Sequence, residues 1–124
     1  MATVTIDLKG FTFAVDNVED MVAFYDKVFG TDMEPFGAFN TTLYRGSLAG
    51  FSLVFCPNEI LGIQASKNRQ QINFRVSDID AVIQQAEAYG GQQIMQIREE
   101  EHRRAGGIAD PDGNTMELEE IRVS

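Results

Sequence analysis

Glu117 is the side chain in this sequence best placed to do chemistry. It follows the turn Asp110-Pro111-Asp112-Gly113-Asn114, in which Pro111 presets φ, Asp112 can bond its own backbone and Gly113 lets the chain leave. The residues after the turn alternate, with Met116 and Leu118 on one face and Thr115, Glu117 and Glu119 on the other. A carboxylate on the non-core face of a strand beside a tight turn can accept a proton or hold a ligand. The plain alternative is the solvated side of a half-exposed strand. His102 is the sole imidazole, within the run Arg98-Glu99-Glu100-Glu101-His102-Arg103-Arg104. That run reads as a salt-laced turn, or as a loop bringing an acid–base group that titrates near neutral pH. Cys56 is the sole cysteine and has no His near it in the strand pattern, so it reads as a small buried hydrophobe rather than a nucleophile.

The bulk composition narrows the classes of partner. With 124 residues the chain is one domain, spanning 1–124, and is large enough for a core without disulfide or metal staples. A net charge of −9 argues against nucleic acid and against an anionic membrane surface, because few cations are available to neutralise phosphate. No apolar run is long enough to span a bilayer, and Met1 to Thr5 lacks the features of a signal peptide. A lone cysteine suits a reducing compartment, so the expected location is cytoplasmic.

The elements that position these residues form a repeat. Residues 4–15 read as a strand, followed by a helix that Asp16 can cap, with the stripe Val18, Met21, Val22, Tyr25, Val28 and Phe29 and a stop at Gly30. Residues 71–76 read as a strand, Ser77 can cap, and Ile79, Val82, Ile83, Ala86 and Tyr89 repeat the stripe before Gly90-Gly91. The offset is constant: Phe13 to Phe74 and Gly30 to Gly91 are each 61 residues (74 − 13 and 91 − 30). Such a repeat implies two copies of one supersecondary unit. Strands are also expected in residues 31–39, around Pro35; at 40–45 and 50–56, joined by a Gly46-Ser47 turn; and at 92–99, 105–109 and 114–123. Each half is therefore β-α-β-β-β, in modules of about 4–57 and 68–124 joined by a linker at about 58–67. Two helices and short, tightly turned strands favour an α+β fold with largely antiparallel pairing over a doubly wound sheet. Neither strand–helix junction, Val15-Asp16-Asn17 or Val76-Ser77-Asp78, carries a glycine-rich phosphate loop.

The paired modules, with Ala23-Phe24-Tyr25-Asp26-Lys27-Val28-Phe29-Gly30 in the first helix and Asp110-Pro111-Asp112-Gly113-Asn114 before the last strand, resemble the vicinal oxygen chelate superfamily. That group includes glyoxalase I, extradiol dioxygenases, and fosfomycin- and bleomycin-resistance proteins. The resemblance spans nearly the whole chain and implies two βαβββ modules whose mixed sheet curls into a cup, helices outside and the site within. It also implies a homodimer. Metal-dependent members place ligands on the first and fourth strands of each module, positions that fall on Gly10, near Ser52, on Gln71 and on Glu117. Gly10 offers no side chain and Ser52 is a poor neutral ligand, which leaves Gln71 and Glu117, fewer donors than a tight site needs. No metal cofactor is therefore expected; a divalent metal, if bound, would sit at Glu117 and Gln71. In the family a basic residue near Arg104 often faces the ligand, which makes Arg104 a binding candidate.

Strand parity under this resemblance puts Gly10, Thr12, Ala14, Ser52, Val54, Cys56, Gln71, Asn73, Arg75, Thr115, Glu117 and Glu119 on the cup face, and Phe11, Phe13, Phe51, Leu53, Phe55, Ile72, Phe74, Val76, Met116 and Leu118 beneath the helices. A face so rich in polar groups is costly to bury unless it meets water, partners or a polar ligand. Arg75 could pair with Glu117 or Glu119, or stay open to an anionic group. The expected function is metal-independent binding of a small polar molecule in the cup, with Thr12, Ser52, Gln71, Asn73, Arg75 and Arg104 as binding residues and Glu117 as acceptor or base. The alternative is a divalent-metal lyase, isomerase or dioxygenase. A third reading is sequestration of a cationic antibiotic, for which the acidity is apt, although no Trp is present to stack on such a ligand.

Overall fold

The fold follows the two sequence modules, and the computed structural model describes residues 8–61 and 70–121. In the first module β1 (Gly10–Val15) leads to α1 (Val18–Phe29), then β2 (Glu34–Ala38), β3 (Thr41–Leu48) and β4 (Phe51–Pro57). A single turn, α2 (Asn58–Leu61), starts the connection, and the expected linker beyond residue 61 lies outside the described residues. The second module runs β5 (Ile72–Arg75), α3 (Ile79–Ala88), β6 (Gln92–Glu99), β7 (Arg103–Ala109) and β8 (Thr115–Ile121). The expected strand residues 4–7, 122 and 123 also lie outside the described residues. No described helix is long and apolar enough to cross a membrane.

Each module makes a mixed four-stranded sheet, ordered β1-β4-β3-β2 and β5-β8-β7-β6. The pairs β1–β4 and β5–β8 are parallel, and the four hairpin pairs are antiparallel. This is the expected α+β architecture of two βαβββ modules. The helices form where the apolar stripe recurs: α1 buries Met21, Phe24 and Tyr25, and α3 buries Ile79, Ile83 and Ala86. Those residues share one core with Val15, Leu53, Phe55, Ile108, Met116 and Leu118, which are the helix-facing residues of both sheets. Phe29 of α1 stacks on Phe74 of β5 with centroids 4.5 Å apart, so the core is continuous between modules.

Four local expectations are corrected. Asp16 does not cap α1: the cap position is Asn17, without a side-chain cap bond, and the Asp16 carboxylate instead accepts from Asn58 Nδ2. Ser77 does not cap α3; Asp78 does, accepting from Ala81 N at 3.1 Å. The Gly46-Ser47 pair is not a turn, because β3 continues through it to Leu48 and reverses at Ala49-Gly50. Gly46 is needed for a different reason: a Cβ there would come 2.4 Å from Thr31 O and 2.6 Å from Met33 Sδ. Finally, β7 starts at Arg103 rather than residue 105.

Candidate functional site

The face of each sheet opposite α1 and α3 carries the polar side chains, and the register fixes which residues share it. In the second sheet Asn73 opposes Glu117, and Arg75 opposes Glu119, across β5–β8. On the other side of β8, Gly107 opposes Glu117 and Ala105 opposes Glu119. Beside the two carboxylates β7 itself offers nothing larger than a methyl group, but Ala105 is fully buried and Met95 and Ile94 of β6 lean over Gly107, so the trough along that strand is closed at its floor and open only at the level of the charged side chains. Gln71 adjoins this row: the Thr115 hydroxyl donates to its Oε1 at 3.1 Å, and its Nε2 stands 3.4 Å from Asn73 Oδ1. Parity thus places Gln71, Asn73, Arg75 and Glu117 together as expected.

Arg75 makes no ion pair to either carboxylate among the described residues. The cation beside them is Arg103, missed in the sequence reading. It is two residues from Ala105 and so on the same face; its Nη1 lies 4.0 Å from Glu117 Oε1 and 3.9 Å from Glu119 Oε1. Its Nε donates to Glu100 Oε1 at 2.9 Å. That hydrogen bond, aided by the guanidinium charge, holds the Glu100 carboxyl below its ordinary range, and Glu100 in turn raises the guanidinium further above its own. The signal that could have found Arg103 is the strand parity of Ala105 and Gly107, extended two residues back.

Arg104 sits elsewhere. Its strand partner is Glu120, on the helix side of the sheet, and its Nη1 donates to Asp80 Oδ2 of α3 at 2.7 Å, with Glu99 and Glu120 also close. The Asp80 carboxyl is lowered by that hydrogen bond. Adjacent residues on a strand point to opposite faces, so Arg103 and Arg104 cannot both face the trough. His102 lies in the β6–β7 turn, three-quarters exposed (75%) and 3.8 Å from Glu101 Oε1. This is the solvated, salt-laced turn of the plainer reading.

The corresponding face of the first sheet is less polar than parity implied. Thr12 is exposed and Ser52 half-buried, and the pairs Thr12–Val54 and Ala14–Cys56 follow the expected register. Yet Cys56 (3% exposed) and Leu43 (4%) are buried on this face, outside the core shared with the helices. Arg45, opposite Val54, rests its guanidinium 4.2 Å over the Phe36 ring. One face is thus partly apolar with a stacked cation, and the other is an ionic trough.

Among the described residues, the positions that would ligate a divalent metal do not assemble a donor set for one. A Cβ on Gly10 would lie 2.0 Å from Ser52 O, so backbone contact excludes any side chain at that ligand position. Gln71 is engaged with Thr115 and Asn73, and Glu117 faces a guanidinium. Among the described residues no group of three or more His, Cys, Asp or Glu is arranged to hold a metal. The chain offers acceptors and cationic donors instead, which recognise hydroxyls, amides and anions.

The Asp110–Asn114 turn has its own role. The buried Asp110 carboxylate accepts from Tyr25 Oη at 2.9 Å, from Asn114 N at 2.9 Å and from Asp112 N at 3.0 Å. Burial raises its pKa despite the bonds from Asn114 and Tyr25, and the Tyr25 hydroxyl is itself pushed well up by burial and by Asp110. Asp112 reaches the first module, accepting from Asp16 N at 2.9 Å, Asn17 N at 3.1 Å and Asn17 Nδ2 at 2.9 Å. The turn beside the trough thereby fastens the two modules together and fixes where β8 begins.

A family model described as a glyoxalase-like domain matches residues 10–119. No curated protein matches the chain in sequence. Among solved structures, the chain is similar to a glyoxalase/bleomycin resistance protein/dioxygenase family enzyme from Burkholderia phytofirmans, with TM-score 0.74 and 19% identity, covering 94% of this chain and 100% of that one. It is also similar to TnmS3, an antibiotic binding protein from a Streptomyces species, with TM-score 0.71 and 19% identity over 98% and 100% of the two chains. The fosfomycin resistance protein FosX from Listeria monocytogenes gives TM-score 0.73 and 17% identity over 97% of each chain. At these identities the structures share the fold, and the family match covers most of the sequence. The chain belongs to the glyoxalase-like domain family and shares its fold with a structure from the glyoxalase/bleomycin resistance protein/dioxygenase family.

Proposed function

We propose that this protein binds a small polar molecule against the inner faces of its sheets, without a metal, as a homodimer. The observation that carries the reading is the row of part-exposed charge on the second sheet, Glu117 and Glu119 with Arg103 beside them and Asn73 and Arg75 on the next strand. Charged groups on a face this large are retained at a cost unless something uses them. Thr12, Ser52 and the Arg45–Phe36 stack supply a second, less polar surface for the rest of the ligand. Glu117 is the acceptor of the site and its candidate base. A metal-dependent lyase, isomerase or dioxygenase is disfavoured by the donor set, because Gly10 cannot carry a ligand and Gln71 and Glu117 alone cannot hold a tight transition-metal site.

The test is a thermal-shift screen of small polar compounds, with the solution mass measured on the same sample. A ligand at about 100 times its Kd adds roughly 2.7 kcal/mol, a shift of several degrees for a chain of this size. A hit lost in Glu117→Gln supports the reading; a broad saturating screen that never moves the midpoint sinks it. A monomer by mass removes the homodimer. A second reading, antibiotic sequestration, draws on the antibiotic-binding and fosfomycin-resistance proteins of the same fold and on the net charge of −9. Expression that leaves a sensitive host as susceptible as before removes it.

A further inference from the structure

Arg103 is oriented but not saturated. Its Nε–H is taken by Glu100 Oε1 at 2.9 Å, which fixes the plane of the guanidinium. Its Nη1 stands 4.0 Å from Glu117 Oε1 and 3.9 Å from Glu119 Oε1, close enough for attraction and too far for a hydrogen bond. The three side chains are each roughly one-third exposed: 32% for Arg103, 29% for Glu117 and 28% for Glu119. Ala105 and Gly107 beneath them are buried, Gly107 under Met95 and Ile94 of β6, so the part-exposed edges of the three charged side chains are what a ligand can reach. The cluster therefore holds a donor and two acceptors, each separated from the other kind by the same small gap.

The size of the gap selects what fits. An oxygen making two hydrogen bonds of about 2.8 Å at an angle of about 90–110° joins atoms about 4.0–4.6 Å apart. The observed 4.0 Å lies at the lower end of that span and the 3.9 Å just below it. The bridging group must accept from the guanidinium and donate to a carboxylate. A carboxylate ligand cannot donate and would face Glu117 and Glu119 as a like charge; an ammonium cannot accept and would face Arg103. A hydroxyl does both, and two neighbouring hydroxyls can serve the two carboxylates from one guanidinium.

We propose that Arg103, Glu117 and Glu119 form a subsite for a neutral polyhydroxylated molecule carrying adjacent hydroxyls. Glu100 is the positioning residue, holding Arg103 along the trough. This deepens the proposed function and rests on its reading that the inner face binds a small molecule. Each hydroxyl accepts an N–H of Arg103 and donates to Glu117 or Glu119. The charge of the cluster stays internal, and the ligand is read by its hydroxyl spacing rather than by its charge.

The test is a titration followed by amide ¹H–¹⁵N shifts, with myo-inositol as the vicinal polyol, glutarate as the anion and putrescine as the cation. Myo-inositol is expected to shift residues around 103–107 and 117–119. Its apparent Kd should rise at least tenfold in Arg103→Gln and several-fold in Glu100→Gln, with no change in Arg104→Gln. The substituted side chains are partly exposed, and the unchanged amide pattern outside the trough reports that each variant is folded. If glutarate or putrescine binds the trough and myo-inositol does not, the subsite is overturned while inner-face binding stands. If no probe shifts any inner-face residue, the subsite fails, and if the wider screen is also silent the proposed function fails with it.

Discussion

Replacing Asp112 with Ala tests whether the turn before β8 holds the modules together. Asp112 accepts three hydrogen bonds from the first module, two from the backbone at Asp16 and Asn17 and one from the Asn17 side chain. A hydrogen bond to a charged acceptor contributes about 1.5–3 kcal/mol net, but water competes here, and roughly 0.7 kcal/mol per bond is a fairer figure. The expected loss is therefore about 2 kcal/mol. In Asp112→Asn the amide oxygen would keep the pair of bonds from Asn17, while the amide N–H would stand against the Asp16 N–H, so this variant should lose about half as much. Urea unfolding followed by circular dichroism reads both: at a slope of about 1.5 kcal/mol/M, Asp112→Ala lowers the midpoint by roughly 1.3 M. Asn17→Ala removes one of the three bonds, so the double variant should show a coupling of about 0.5–1 kcal/mol. An Asp112→Ala midpoint within about 0.2 M of the parent, or strict additivity with Asn17→Ala, would refute the reasoning.

The remaining predictions concern the strand contacts and the buried carboxylate. Gly10→Ala sets a Cβ 2.0 Å from Ser52 O and should cost about 2–3 kcal/mol in urea unfolding. Gly10→His should likewise acquire no stoichiometric zinc by elemental analysis, since a ligand cannot be placed where the backbone leaves no room. Tyr25→Phe removes a 2.9 Å donor from Asp110 and should cost about 1 kcal/mol; no change would mean that Asn114 and the Asp112 N–H satisfy the carboxylate between them. Burial raises the Asp110 pKa above the ordinary aspartate value, so its stabilising contribution is complete below the unfolded value and is lost as pH rises through the folded one. Urea midpoints measured upward from about pH 4 should carry this fall in the parent and lack it in Asp110→Asn; identical profiles would contradict it.

Much of the fold was legible because period and parity are properties of short stretches. The 61-residue offset gave both helices and their core faces, and the parity of residues 71–75 and 115–119 set Gln71, Asn73, Arg75 and Glu117 on one face. What was missed depended on contacts between distant segments. The Gly46-Ser47 pair looks like a turn until Thr31 is seen to pass within 2.4 Å of where a Cβ would stand. Asp16 looks like a cap until Asp112 and Asn58 arrive from elsewhere in the chain to set its position. The Arg103–Arg104 choice turned on where β7 begins, and charged residues at a strand end carry no apolar alternation to mark the phase. The burial of Leu43 and Cys56 on the inner face was likewise unsignalled, because alternation identifies a face but not what covers it.

The reach of Asp112 has a consequence for the order of assembly. The residues it bonds lie 95 and 96 positions earlier, so the entry to α1, where Asn58 holds the Asp16 side chain from within the first module, has its backbone bonded by a segment near the other end of the chain. The repeat is not reciprocal: the first-module positions 61 residues before Asp110 and Pro111 are Ala49 and Gly50, which reverse a hairpin, and the start of α3 is served within its own module by Asp78 and by Glu120. During synthesis the first module thus emerges with the backbone at the entry to its leading helix lacking its Asp112 partner until the turn before β8 appears, whereas α3 has its Asp78 cap at once and gains Glu120 with β8. Contacts of such long sequence separation slow folding and expose the earlier half to misassembly in the interval. The halves share an architecture but not a timetable, and the later one holds the latch.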